Sequence, residues 1–305
     1  MKKIIRLFWQ IPSLTIGLFI CFVLGGMLSG LSESGGGSSE SDPAAVAAAA
    51  QTAGLLLLSC FITVLTIIFL LIYSQWRGLK LILAVFVLYF GIGTFMTQIE
   101  SIFFNSALAI PTEMQGKIIL SGFIITMLFA PLSVWVMGKM RGKGAVNDSM
   151  PLRQLLSKGL LLGFIYCCVY ILFGYFVAWQ SPAVRLLYQG NSDILPFGQH
   201  MTNMVNHSPV LIFFQLFRGV LWAGLAWLVI QMTEGSWWNK GIIIGLLFGV
   251  MATGGLLLPN PYMPAEVRWI HLWETSTSNF LFGFVAGWIL RWPKVKHMQD
   301  PLTSG

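Results

Sequence analysis

The sequence predicts an all-α polytopic membrane protein: an integral helix bundle of about eight transmembrane helices, with both termini cytoplasmic. Three observations support this prediction. Only 10% of the 305 residues are Asp, Glu, Lys or Arg, 56% are apolar, and the mean hydropathy is +0.77. Soluble domains carry roughly a quarter charged residues, so this composition cannot form a soluble surface. A soluble enzyme, a disordered chain, a fibrous protein and a disulfide scaffold are therefore excluded.

Eight segments are apolar over about the 20 residues that a spanning helix needs. They cover residues 7–30, 52–75, 79–99, 118–138, 158–180, 209–232, 241–258 and 271–290, and we number them spans one to eight. Together they form a single membrane domain, residues 1–305, in which a basic loop at 139–157 separates residues 1–138 from residues 158–305. Each part therefore holds four spans.

The basic residues indicate how the spans are oriented. With the amino terminus inside, Lys117, Arg185 and Arg268 lie outside, Arg218 lies within span six, and the other 14 of the 18 Lys and Arg residues lie inside. This asymmetry follows the positive-inside rule and predicts a multi-pass protein of the cell membrane, plasma or inner. The expected partners are the lipid bilayer and anionic lipid headgroups at the cytoplasmic face. We expect no nucleic acid, because the net charge of +7 reflects topology.

The amino terminus allows two interpretations. Basic residues followed by an apolar run resemble a signal peptide. The run is long for such a peptide, Gln10 and Pro12 interrupt its start, and no clear small-x-small cleavage site precedes the next loop. We therefore expect an uncleaved first span. If this span were removed, seven spans would remain and the amino terminus would lie outside.

Two outer loops differ in composition. Residues 31–43 form a flexible Gly/Ser-rich loop, and the Ala-rich residues 44–50 that follow are expected to extend span two as a helix above the membrane. The loop at 181–208 is the longest segment without a span of its own. Residues 185–188 within it are expected to form a short helix along the membrane interface.

Small residues recur every four positions in the last two spans. Gly241, Gly245 and Gly249 share one face of span seven, and Gly283 and Gly287 share one face of span eight. This spacing lets helix backbones approach closely within lipid. It indicates packing within the chain, and it leaves open a homodimer or another membrane-protein partner.

Arg218 is the most informative residue. It lies about nine residues into span six, so at 1.5 Å per residue it is roughly 13 Å deep, close to the bilayer midplane. An arginine at this depth keeps its charge, so it must face the bundle interior and find acceptors. Gln215, three residues earlier, makes the same face polar. Two interpretations remain open: a site for an anion or carboxylate ligand, and a structural ion pair between two spans.

Two acidic side chains are expected near Arg218. Glu100 ends span three, and Glu274 enters span eight from the same outer side. An arginine side chain reaches roughly 6–7 Å and can extend toward either of them. One carboxylate would neutralise Arg218, whereas two would leave a net negative site able to hold a proton or a cation.

The start of span eight is the most polar helical entry in the chain. Its polar residues share one broad face at spacings of three and four: Arg268, His271, Glu274, Thr275 and Ser278, with Asn279 beside them. Such a face is costly in contact with lipid, so it is expected to meet protein or water. It predicts either a ligand site or an interfacial helix start in which Glu274 meets the positive helix end.

No sequence motif for catalysis is found. The patterns GxSxG and HExxH, the Walker motif and Gly-rich phosphate loops are absent, so no cofactor is expected. His271 and Glu274 form an HxxE pair, to which His200 and His207 could add metal ligands. Nothing in the spacing requires this grouping, and zinc catalysis needs three ligands and an open position, so no metal is expected.

The chain also contains a weak internal likeness. Glu100 with Asn105, and Glu274 with Asn279, show the same spacing near the outer ends of their spans. Inverted repeats are common in transporters. Spans three and eight do not correspond in a division into four and four, however, so we interpret the likeness as coincidence.

Three functions remain, all centred on one predicted polar network. Its members are Arg218, Glu274, His271, Glu100, Gln215, Asn279 and Arg268. The first function is a carrier of a small solute or ion, or a related ligand-handling protein. The alternatives are a non-catalytic subunit or assembly factor, and a membrane-embedded enzyme acting on a lipid or lipid-linked substrate.

Overall fold

The computed structural model describes residues 2–31, 43–142, 144 and 150–291, with side chains from Arg6 onward. Apart from one isolated β-bridge, the described residues form helices and the loops between them. The Gly/Ser-rich stretch 32–42, part of the basic loop and the residues after 291 lie outside the described residues.

The helices fall into two halves. The first half contains α1 (Lys2–Leu28), α2 (Pro43–Tyr73), α3 (Gly78–Phe90), α4 (Met96–Phe103), α5 (Asn105–Leu108) and α6 (Thr112–Val136). The second contains α7 (Leu152–Phe176), α8 (Pro182–Gln189), α9 (Phe197–His207), α10 (Pro209–Met232), α11 (Trp237–Leu246) and α12 (Ala265–Arg291). A π-helical turn, Gly91–Phe95, joins α3 to α4, and another, Leu247–Met251, extends α11. Short 3-10 turns cover Ala178–Gln180 and Gly254–Leu257.

Six stretches of helix are long and apolar enough to cross a membrane, which confirms an all-helical membrane protein. They are Arg6–Leu28, Pro43–Tyr73, Gly78–Phe103, Thr112–Val136, Leu152–Gln180 and Pro209–Met232. The last two predicted spans differ from this group. Span seven was expected as one helix over 241–258, but the apolar helix covers only Trp237–Met251 and then gives way to a 3-10 turn. The helix α12 has 27 residues, but its stretch 274–279 (ETSTSN) is polar.

The loops also hold more structure than their composition suggested. The outer loop 181–208 contains α8 and α9, and α8 includes the short helix expected at 185–188. Ser181 caps α8, because its hydroxyl accepts a hydrogen bond from the Val184 backbone. The helix α2 begins at Pro43 and has 31 residues, so at 1.5 Å per residue it is longer than the roughly 30 Å hydrocarbon core.

The two ends of the bundle are named by the side predicted from the sequence. The inner end holds the β-bridge between Ser74 and Thr233. Ser74 lies between α2 and α3, and Thr233 lies between α10 and α11. The outer end holds α8, α9 and the start of α12.

The two halves pack in the same way. In the first half α1 packs against α2 and α6, and α3 packs against α6. In the second half α7 packs against α10 and α12, and α11 packs against α12. This correspondence pairs α1 with α7, α2 with α10, α3 and α4 with α11, and α6 with α12. The chain is therefore an internal repeat of two four-helix units, which the sequence did not reveal.

Reciprocal hydrogen bonds at the inner end support this repeat. The backbone N–H of Gln75 donates to the Met232 carbonyl at 2.8 Å, and the N–H of Glu234 donates to the Tyr73 carbonyl at 3.0 Å. The side chains of Gln75 and Glu234 also bond to each other, at 3.2 Å and 159 residues apart in the chain. Tyr73 and Met232 are separated by the same interval, and each ends its helix. The exchange of bonds is what an antiparallel bridge always shows, and the equal positions of Tyr73 and Met232 at their helix ends agree with a two-fold relation of the halves.

Each half contains a helix interrupted by a π turn at a corresponding place. The two π turns, Gly91–Phe95 and Leu247–Met251, pack against each other. A Cβ atom added to Gly93 would lie 3.5 Å from the Met251 carbonyl oxygen, so the backbones are close. π turns are rare and frequently occur at functional sites. The interrupted helices therefore meet where the two halves meet.

The predicted glycine contacts are made within the chain. A Cβ atom on Gly283 would lie 2.8 Å from the Cα of Gly245, and one on Gly287 would lie 2.5 Å from the Cα of Gly241. The backbones of α11 and α12 therefore touch, as small residues at this spacing permit.

Candidate functional site

Arg218 lies on α10 inside the bundle and forms an ion pair with Glu100 of α4. Its side chain is only 3% exposed. The guanidinium donates from Nη1 to Glu100 Oε1 and from Nη2 to Oε2, both at 2.7 Å. Of the two carboxylates expected near Arg218, Glu100 makes this two-bonded contact. Glu274 forms no ion pair with Arg218 in the described part of the chain.

The remaining contacts of Arg218 come from three helices. Gln215 Oε1 accepts from Nη1 at 2.9 Å, and the Met96 carbonyl accepts from Nη2 at 3.5 Å. The rings of Tyr166 and Phe214 each lie with their centres 5.6 Å from the guanidinium carbon. Sequence analysis identified Gln215 but missed Tyr166 and Phe214, because an aromatic residue in an apolar span has no distinctive pattern.

The two side chains of the ion pair differ in exposure. The Glu100 side chain is 32% exposed, about ten times more than that of Arg218. Arg218 Nε and Gln215 Nε2 are buried and have no hydrogen-bond partner among the described residues. An approaching solute therefore meets the carboxylate first and reaches the guanidinium only by displacing it.

Ser59 of α2 occupies the place in the first half that Arg218 occupies in the second. The two residues are separated by the same interval as Gln75 and Glu234. Ser59 Oγ donates to the Gly254 carbonyl at 3.3 Å, shortly after the second π turn. Arg218 donates to Met96, directly after the first π turn. In each half, a side chain therefore hydrogen-bonds to the segment that follows the π turn of the other half. The side chain from α10 is charged, whereas the one from α2 is a neutral serine.

The start of α12 forms a second polar group, the outer cluster, which consists of Arg268, His271, Glu274 and Thr275. His271 Nδ1 lies 3.5 Å from Glu274 Oε2, and Thr275 Oγ1 donates to the same oxygen at 2.9 Å. Arg268 and Glu274 are both buried. Asn279, one turn further along α12, is buried as well. The predicted polar face thus faces protein.

Aromatic rings connect the outer cluster to the ion pair. Tyr188 of α8 packs edge-on against His271 and against Phe104, with ring centres 5.8 Å apart in each case. Phe103 stacks on Phe214, which in turn contacts Arg218.

The phenol of Tyr188 lies near both carboxylates. Burial raises the pKa of Tyr188, and the charges of Glu100 and Glu274 raise it further. Six of the seven predicted network residues therefore form two groups at the outer end, separated by aromatic side chains, and Asn279 lies one turn further along α12.

The histidines expected as possible metal ligands have other surroundings. His200 packs against Tyr175 and Trp179, and His207 lies 3.1 Å from the Asn203 carbonyl. No group of three or more His, Cys, Asp or Glu side chains in the described residues could hold a metal ion. His200 instead lines an outer cavity of about 210 Å³ with Trp179, Gln189, Asn191, Asp193 and Leu195.

Comparisons of the chain with protein-family models, with curated proteins and with solved structures find no match. The internal repeat, the ion pair and the outer cluster are therefore the basis for a functional proposal.

Proposed function

We propose that this chain is a carrier of a small solute or ion, with eight spans, in the plasma or inner membrane. One observation supports it most: two equivalent halves each contain an interrupted helix, and these helices meet beside the Arg218–Glu100 pair. Repeated halves and a polar site at the boundary between them are shared by many secondary transporters. A structural bundle without transport needs none of these features together.

The proposal of eight spans with cytoplasmic termini includes α11 and α12 as the last two. These helices pack along their glycines and are joined by a short outer segment, residues 252–264. Either both helices therefore cross the membrane or neither does. The carboxyl terminus lies on the same side in both cases. The 3-10 turn Gly254–Leu257 continues α11 toward the outer face, which compensates for its short length. The distribution of Lys and Arg supports the inner side for both termini.

The ion pair joins the two halves and would have to respond when they move. Arg218 belongs to the second half, whereas Glu100 and Met96 belong to the first. A cation can bind the exposed carboxylate of Glu100, and an anion can compete with it for the guanidinium. In either case the solute changes the contact between the halves, which is the coupling that alternating access requires.

Reconstituted protein tests the proposal by solid-supported-membrane electrophysiology. Proteoliposomes are exposed to jumps in Na⁺, K⁺, chloride, inorganic phosphate, acetate, succinate and glutamate, and to pH jumps. We expect at least one of these to give a saturable current that Glu100→Gln and Arg218→Gln abolish. Glu266→Gln, an exposed outer carboxylate on α12, should leave the current unchanged. If every probe is silent with folded protein, the carrier proposal is wrong.

A non-catalytic subunit is the second candidate, and the two-bonded geometry of the ion pair favours it. A guanidinium already held by Glu100, Gln215 and Met96 can serve purely to join α4 to α10. Silence towards all probes, together with stoichiometric copurification of another membrane protein, would support this function. A carrier current from the purified chain alone would exclude it as the sole role.

A further inference from the structure

We infer that the outer end of α12 binds an oxyanion, a phosphate or carboxylate group, through Arg268 and His271. This inference does not rest on the transport proposal, because neither residue belongs to the Arg218–Glu100 pair.

Arg268 is a buried cation for which the described residues supply no partner. It is 6% exposed, and no carboxylate oxygen lies within 4.0 Å of its nitrogens in the described residues. Its Nε and Nη1 atoms are both buried and have no hydrogen-bond acceptor. Arginine does not lose its proton in proteins, so this charge cannot be relieved by titration. Within the described residues no acceptor reaches these two nitrogens, so a bound ligand can supply one.

The other two buried arginines of the described residues show what a satisfied guanidinium looks like. Arg185 is buried to the same extent as Arg268, and its Nε and Nη1 donate to the carbonyls of Ser192 and Trp179. Arg218 is held by Glu100 on two nitrogens, and only its Nε lacks an acceptor in the described residues. Burial alone therefore does not explain the lack of partners at Arg268, since the same fold satisfies arginine elsewhere.

His271 supplies a second donor on the same face of α12. It follows Arg268 by three residues, which places both side chains side by side on a helix. His271 Nδ1 faces Glu274, and its Nε2 atom is buried without a partner. With Nδ1 toward Glu274, the Nε2 atom points away from that carboxylate, and it can donate to a ligand when both ring nitrogens carry a proton. Thr275 also donates to Glu274, so that carboxylate is already engaged.

The position in the helix favours an anion as well. Arg268 and His271 lie in the first two turns of a 27-residue helix, where the helix dipole is positive. The fork of a guanidinium matches the paired oxygens of carboxylates and phosphates. The proposed ligand is therefore an oxyanion rather than a halide or a neutral polar solute.

Two sources of this chemistry are available at that depth. Trp269 and Trp273 are exposed on the same turns, and tryptophan concentrates at the level of lipid headgroups. A phospholipid phosphate can therefore reach Arg268 from the bilayer, and a soluble phosphate or carboxylate can reach it from the outer solution. The class of ligand is the same in both cases.

Thermal unfolding of the purified full-length protein in a neutral detergent tests the inference. One arm adds inorganic phosphate against chloride at equal ionic strength, and the other adds phosphatidylglycerol with native mass spectrometry of the retained lipid. We expect at least one probe to raise the melting temperature of the wild type. Arg268→Met should abolish that shift, and Arg268→Lys, which keeps the charge but loses the fork, should weaken apparent affinity by about tenfold.

Arg185→Met is the matched control, because it removes an equally buried but partnered arginine. It should lower the melting temperature without ligand and keep the ligand-induced shift, whereas Arg268→Met without ligand should melt at or above the wild type. A shift with phosphatidylglycerol alone identifies a lipid headgroup, and a shift with phosphate identifies a soluble oxyanion. No shift with either probe, or a shift in Arg268→Met as large as in the wild type, overturns the inference and leaves water as the partner of Arg268. Transport activity does not enter this readout, so the carrier proposal can fail independently.

Discussion

Ser59 and Arg218 occupy equivalent places in the two halves of the bundle, and each donates a hydrogen bond to a backbone carbonyl that follows a π turn of the other half. The geometry is repeated, but the chemistry is not. A serine hydroxyl joins the halves on one side, whereas a buried guanidinium paired with Glu100 joins them on the other. The polar site therefore lies on one side of an otherwise two-fold arrangement, and the predictions below test the pair, the axis and the packing separately.

Breaking the ion pair should be strongly destabilising. Glu100→Gln leaves Arg218 charged and buried with no carboxylate, which costs about 3–5 kcal/mol of unfolding free energy, near the lower figure because Glu100 is partly exposed. The double variant Glu100→Leu with Arg218→Met removes both charges and should recover most of this loss. Unfolding in mixed micelles with increasing SDS measures each value.

The Glu113–Lys117 pair provides the control for that measurement. Its charges are 2.8 Å apart, but the Glu113 side chain is 80% exposed. Glu113→Gln should therefore leave the unfolding free energy almost unchanged. Equal effects of Glu113→Gln and Glu100→Gln would contradict the buried pairing.

The inner β-bridge should cross-link when cysteines replace Ser74 and Thr233. Flanking bonds on both sides make this a non-hydrogen-bonded antiparallel pair, with Cα atoms about 4.5 Å apart, close enough for a disulfide. In a background with the four native cysteines changed to alanine, mild oxidation should give an internal disulfide. Proteolysis between the halves followed by non-reducing electrophoresis detects it.

Ser74→Cys combined with Glu266→Cys, at the opposite end of the bundle, should not cross-link within one chain. The disulfide between the cysteines that replace Ser74 and Thr233 would tie the two halves together. It should therefore also block any solute-induced current until a reductant is added. Failure to cross-link would contradict the two-fold arrangement. Unchanged current in the cross-linked protein would show that the halves do not separate at this end.

The contact between α11 and α12 should not tolerate a methyl group. Gly287→Ala brings a Cβ atom into the backbone of Gly241, which cannot move aside as a flexible side chain can. We expect a loss of about 1–3 kcal/mol. Gly224→Ala on α10 is the control: nothing lies within 4 Å of its added Cβ, so the better helix propensity should leave stability unchanged or raise it by up to about 1 kcal/mol.

Stability should fall in mild acid because of His200. Burial lowers the pKa of His200 below its ordinary value of 6.5, so the folded state favours the neutral ring. Above pH 6.5 the ring is neutral in both the folded and unfolded chain, and His200 has no effect. Below that value the unfolded chain binds more protons, so stability falls as the pH falls. Melting temperatures across this range should decline less in His200→Phe than in the wild type; identical slopes would contradict this assignment.

The sequence pointed to the few charged residues in apolar surroundings, but not to which of them meet. A charge in the middle of span six must face the interior, so Arg218 could be located from depth alone. Its partner could not, because Glu100 and Glu274 both lie at outer span ends. The π turn before α4 explains why: it adds a residue to one turn and so rotates Glu100 relative to the helix pattern read from α3. Periodicity does not detect such a change.

The internal repeat also could not be predicted from the sequence. The two halves hold different side chains at equivalent places, such as Ser59 and Arg218, so the repeat leaves no pattern in the sequence. The sequence by itself determined the class of protein, its long apolar helices and its few buried charges, because composition and hydropathy act on each segment separately. The tertiary structure alone decided the two-fold arrangement, the choice of Glu100 over Glu274 and the unpartnered state of Arg268. These depend on contacts between segments far apart in the chain, which local pattern does not encode.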